Sequence, residues 1–123
     1  MTDLAALRER VRTATGPDHE LTLAVAVACG AQVCPRNNRF IRWPGEDATY
    51  WQPPPYTASI DAAVALVERV LPNKEYRLDS GHKHRPHARI YLEKRLSVAR
   101  HSATLPLAIL AALLAALDAR DDA

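Results

Sequence analysis

Seven residues equip this chain for recognition chemistry: Arg42, Trp43, Trp51, Tyr56, Arg77, Arg89 and Tyr91. Planar guanidinium groups hold phosphates with paired hydrogen bonds, and aromatic rings stack on bases. Arg36, Arg39 and Tyr50 add to the first four of these residues within one loop-and-strand region. Arg77, Arg89 and Tyr91 share the outward phase of two alternating segments farther on. Together these types suit a nucleotide-like ligand. The plainer reading makes Trp43 and Trp51 anchors at the edge of the core and leaves the arginines solvated.

A second group, His82, His84 and His87, has the His-x-His-x-x-His spacing that could offer three imidazoles to a metal. Lys83 and Arg85 are interleaved and would repel a cation, and no neighbouring acid completes the set. A solvated basic turn is therefore expected, with no metal and no cofactor. Cys29 and Cys34 read as free thiols; Cys-x4-Cys alone does not make a zinc site. Their pairing stays open at this point. A Gly-x-Ser-x-Gly turn, a Walker loop and a Gly-rich dinucleotide turn are all absent. Asp61 and Glu68 read as a dipole partner and a solvated side chain. No catalytic residues and no enzymatic activity are expected.

Net charge, +2 over 123 residues, does not by itself argue for nucleic acid. The charge is unevenly placed, however. Between His82 and His101, Lys83, Arg85, Arg89, Lys94, Arg95 and Arg100 face only Glu93, a local +5. Hydrophobic residues at 48% and charged ones at 24% are ordinary for a globular domain of this size. The start, MTDLAALRER, lacks the pattern of a signal peptide. The greasiest run, Leu105 to Leu117, falls short of the ~20 residues of a membrane span. A cytoplasmic protein without a membrane anchor is expected.

The elements that must position these groups follow from spacing. Leu4, Leu7 and Val11 predict a helix over 3–14, stopped by Gly16-Pro17, with Gly16 suited to a left-handed cap. Asp18 caps a second helix whose stripe is Leu21, Val25 and Ala28, ending at Gly30. Residues 40–43 predict a strand, and 49–52 a second extended piece. Pro53, Pro54 and Pro55 form a stiff lead-in to a helix capped by Thr57 or Ser59, with Ile60, Val64, Val67 and Leu71 on one face. Two alternating runs around Tyr76–Leu78 and Ala88–Leu92 predict an antiparallel hairpin joined by Ser80 to His87. The last helix begins near Ser102 or Thr104. Leu105, Ile109, Leu113 and Leu117 mark its stripe, and it is apolar all round. Such a helix is either the central core helix or part of a subunit interface. A single domain over 1–123 is expected, with a short disordered acidic tail at about 118–123.

Three quoted segments resemble a known family. They are Tyr56-Thr57-Ala58-Ser59-Ile60-Asp61-Ala62-Ala63, the Ala- and Leu-rich final helix from Ala103, and the Leu7 to Leu21 segment containing ATGPD. In order and spacing they look like the phage ABA sandwich domain family, over about Leu4 to Leu117. The resemblance implies an α+β domain in the form of a small α–β–α layered sandwich, with a mainly antiparallel sheet of three or four strands and about four helices. It implies no reaction and no catalytic residues. The histidine- and arginine-rich hairpin connection departs from the family pattern.

The function expected is a non-enzymatic phage accessory protein. It would act as an oligomeric anti-defence sponge that sequesters a nucleotide-derived immune signal through arginines and aromatics. The alternative is a module that binds and inhibits a host protein, using the proline run and the basic hairpin. Nucleic-acid binding by the 82–101 segment is a third, weaker possibility.

Overall fold

The computed structural model describes residues 3–46, 49–79, 85–93 and 96–121. In chain order these form α1 (Leu4–Thr13), α2 (His19–Ala28), β1 (Gln32–Val33), β2 (Ile41–Arg42), α3 (Ile60–Val70), β3 (Glu75–Asp79), β4 (His87–Glu93), β5 (Leu96–His101) and α4 (Leu105–Asp121). The protein is an α+β fold with four helices and two antiparallel sheets, β1-β2 and β3-β4-β5. None of the described helices is long and apolar enough to cross a membrane.

The last helix organises the rest. Every residue from Leu107 to Leu117 is buried, leucine and alanine alike. The three-stranded sheet covers one side of α4, while α1 and α3 cover others. The apolar circumference is thus satisfied within one chain, and α4 is the central core helix. It also continues to Asp121, so residues 118–121, expected in a disordered tail, are helical.

Capping follows the local sequence. Asp3, Asp18 and Ser59 are the N-caps of α1, α2 and α3, each accepting a hydrogen bond from the backbone N–H three residues on. Gly30 takes φ 111° just past the end of α2, as a left-handed terminus requires. Gly16 does not: α1 ends through Ala14 in extended conformation. Of the two cap candidates for α3, Thr57 has another task. Its Oγ1 accepts from the Asp18 N–H at 2.9 Å and donates to the Asp18 carbonyl at 3.1 Å. It also lies 2.9 Å from Thr22 Oγ1, all in buried surroundings. The proline run ends in a tight turn, with the Pro54 carbonyl accepting from Tyr56 N–H and the Pro55 carbonyl from Ala58 and Ser59 N–H.

Three local expectations are corrected. The buried face of α3 is centred on Ala63, Leu66 and Val67, whereas Ile60 is 43% exposed. The small Ala63 lets α3 approach α4 closely, and Ile60, at the first helical position, projects past that contact. The extended piece at 49–52 reduces to one bridge, Ile41 to Trp51, with backbone hydrogen bonds of 2.8 and 2.7 Å. The third strand, β5, lies in a stretch read only as basic. Its Leu96-Ser97-Val98-Ala99 alternation was the available signal. The hairpin itself forms as expected, with Leu78 opposite Ala88 and Arg77 opposite Arg89.

Two outcomes follow from this packing. Leu113→Ala, at a position with no exposure, lowers stability by ~2–5 kcal/mol; a urea titration showing less than 1 kcal/mol would place the core elsewhere. Tyr56 is 4% exposed, and burial pushes its phenol up to about 12, with Arg69 pulling the other way. An unfolded tyrosine titrates near ~10. The folded state therefore keeps this contribution in full below about pH 10 and loses it as pH rises through about 12. Across that window the wild type loses of the order of 2–3 kcal/mol more than Tyr56→Phe. Equal losses in the two proteins would clear the phenol of any part.

Candidate functional site

The seven recognition residues fall into separate groups, and the cause is strand geometry. Successive side chains of an extended segment point to opposite faces. Arg42 therefore turns towards the partner strand, donating from Nε to Gln32 Oε1 at 2.9 Å and lying 5.8 Å from the centre of the Tyr50 ring. Trp43, next in sequence, packs the other way, against α3. Trp51 pairs with Ile41 and stays 64% exposed.

Trp43 and Tyr56 do come together. With Pro54, Ala62, Ala65, Leu66, Glu68 and Arg69 they line an open groove of ≈ 630 Å³ along α3. Arg69 lies off the apolar stripe that the sequence predicts for this helix. Its guanidinium lies 4.7 Å from the Trp43 ring centre and pairs with Glu46 at 2.7 Å. The face of Trp43 that would stack on a base is thus occupied, and the arginine beside it already holds a carboxylate.

Arg77, Arg89 and Tyr91 form the second group, on the outer face of the three-stranded sheet. The alternation that sends Ala88 and Ile90 inward sends these residues outward. Across the strands the outer face reads in rows: Glu75–Tyr91–Ser97, Arg77–Arg89–Ala99 and Asp79–His87–His101. No described helix packs on this face, since α4 takes the inner one and α1 and α3 pack on α4. The arginine-rich face is thus the one that no described helix covers.

In the middle row Arg77 stands directly opposite Arg89. Like charges in that relation repel. Neither arginine is in an ion pair among the described residues. Arg89 is steadied by one hydrogen bond, from Nη1 to Ser97 Oγ at 2.8 Å; Ser97 belongs to the strand that sequence reasoning missed. Glu75 and Asp79 stand two residues to either side of Arg77 along β3, in the neighbouring rows. Arg77 is exposed, and Arg89 and Tyr91 are half-buried, so the guanidinium pair and the phenol ring are open to a ligand lying flat on the sheet.

The metal candidates can be followed only in part. His82 and His84 lie outside the described residues. His87 sits in the third row, its ring centre 5.0 Å from that of His101 and its Nδ1 3.9 Å from Asp79 Oδ2. No group of three possible ligands suited to a metal occurs among the described residues. Neither Cys29 nor Cys34 is in a disulfide. The basic 82–101 segment does not build one continuous stripe from Arg89 and Arg100. Arg100 pairs with Ala88 and so lies in the α4-facing phase, opposite to Arg89.

No protein-family model matches the chain, and searches of curated proteins and of solved structures returned no significant match either, so geometry and residue chemistry carry the functional reading.

Proposed function

We propose that this chain is a non-catalytic capture protein that holds a phosphate-bearing, nucleotide-like ligand on the outer face of the β3-β4-β5 sheet. The observation that carries this is the Arg77–Arg89 pair: two guanidiniums in direct register, with no ion-pair partner among the described residues, on a face that no described helix covers. A phosphate between them relieves the repulsion and accepts from both forks. Tyr91, one row along and on the same face, offers a ring for a base, and Ser97 supports the Arg89 fork. Trp43, Tyr56 and Arg42 take no part in this site. With the resemblance to the phage ABA sandwich family, this chemistry supports an anti-defence sponge that removes a nucleotide signal from the host cytoplasm without altering it.

A second reading has one observation in its favour. Trp51 at 64% exposure and Val33 at 37% flank the buried Ile41 on the small β1-β2 ribbon. An exposed tryptophan is a typical anchor for a protein partner, which fits a module that binds and inhibits a host protein.

Thermal shift and calorimetry against cyclic dinucleotides, cyclic oligonucleotides and cyclic ADP-ribose isomers test the first reading. One of them raises the melting temperature, and Arg77→Ala or Arg89→Ala weakens its binding about tenfold or more while leaving the fold intact. Indifference of the wild type to all of them, or equal affinity in both variants, removes the sheet face as the site. For the second reading, Trp51→Ala keeps the melting temperature within about 2 °C but loses any host protein retained in pull-downs. Retention by the variant would exclude Trp51 as the anchor.

A further inference from the structure

A second concentration of arginine was not singled out in the sequence, because its members are far apart in the chain. Ala5, Arg8, Glu9 and Arg12 recur at helical spacing and form one stripe of α1. That stripe faces the end of β5, where Arg100 and His101 stand, and passes over Ala111 of α4. These seven residues enclose a cavity of ≈ 230 Å³. Ala111, at 8%, is the most exposed residue of the buried run in α4, so the cavity reaches the core helix and has alanine on its floor.

The three guanidiniums are held differently. Arg8 pairs with Asp118 at 2.5 Å, and Arg12 takes both carboxylate oxygens of Glu9. Those acids fix the two arginines in place while leaving each with further N–H donors. Among the described residues Arg100 donates only to the carbonyl of Ala99, at 2.7 Å. Against Arg8, Arg12 and Arg100 stand Glu9 and Asp118, so the site carries a surplus of one positive charge. Converging forks from a helix and a strand suit the several oxygens of a phosphate.

We infer that this cavity between α1 and β5 is a binding site for a small phosphate-bearing anion, distinct from the sheet face. Arg100 is its principal unpaired donor, and Arg8 and Arg12 are held in place by their carboxylates. Size sets the class. Sites for drug-sized ligands enclose roughly 300–1,000 Å³, so this one takes a phosphate or pyrophosphate group with at most a short carbon skeleton.

The test uses the full chain carrying Arg77→Ala and Arg89→Ala, which disables the sheet face and keeps the two proposals separable. Calorimetric titration with inorganic phosphate and with pyrophosphate at constant ionic strength gives one site per chain, with pyrophosphate the tighter. Adding Arg100→Ala lowers that affinity about tenfold or more. Ala5→Leu, on the exposed surface of α1, blocks the cavity and lowers affinity without removing any charge. Circular dichroism confirms that each variant is folded. No binding heat from either anion, or affinity unchanged by both Arg100→Ala and Ala5→Leu, overturns the inference. Should Arg100→Ala unfold the chain, Ala5→Leu alone decides.

Discussion

The constraint on which the structure depends is that α4 has no polar side to give to water along the run from Leu107 to Leu117. A helix with an apolar stripe can lie on a sheet and leave its back to solvent; one that is apolar all round cannot. The sheet covers one side, and α1 and α3 are spent on others. α2 packs on α1, so none of the described helices makes its main contacts on the far side of the sheet. Exposure of the Arg77–Arg89 row thus follows from the composition of a helix that begins sixteen residues after Arg89. The same geometry brings α1 alongside β5, because both must reach α4, and their arginines meet at the margin of that contact.

Buried polar groups tie the covering elements together. Thr57, Thr22 and the Asp18 backbone form one knot between the lead-in of α3 and the start of α2. Ser102, fully buried, donates to the Val11 carbonyl at 3.3 Å and joins the approach to α4 to the end of α1. Each such bond contributes only about 1 kcal/mol net, but an unmade one in this setting costs about 1–3 kcal/mol. These hydroxyls thereby penalise other packings more than they strengthen the native one. The proline run serves the same end. It delivers Tyr56 to the core, Thr57 to the knot and Ser59 to the cap within four residues, a sequence that a freely jointed segment would reach only at greater entropic cost.

How much of this was legible depends on whether the signal was local. The Asp18 cap, one of the two cap candidates for α3, the extents of α1 and α2, and the antiparallel pairing of the Tyr76–Leu78 and Ala88–Leu92 runs could be read because each is written within a few residues. The face of α3 was read about one position out of phase, since Ile60 and Val64 are apolar by type and only the approach of α4 selects Ala63, Leu66 and Val67. β5 was hidden by its charge, as Arg95 and Arg100 made a strand look like a basic linker. The recognition residues show the sharpest difference. Arg42, Trp43 and Trp51 are close in sequence, yet strand alternation and a single bridge send them to different surroundings. Arg77 lies twelve residues from Arg89 and fourteen from Tyr91, yet all three share the outward face because one alternating hairpin carries them. Arg8, Arg12 and Arg100 have neither kind of signal, since only the tertiary fold joins α1 to β5.

Register makes the outer face of the sheet a dependable place for chemistry. A slip of one residue between β3 and β4 would turn one of the two strands over, and turning β4 would drive Arg89 towards α4 and expose Ala88 and Ile90. Burying even one guanidinium without a partner costs several kcal/mol, far more than the repulsion between the two arginines at a solvated surface. Burial of Ile90 and the outward position of the arginine pair are therefore one specification. The core need not be disturbed to alter the pair, because the arginines contribute to register only by being unwelcome inside. In the proposed function their surface role is to hold an anion, and a face packed on α4 from behind would give such a ligand donors whose backbone is already in place.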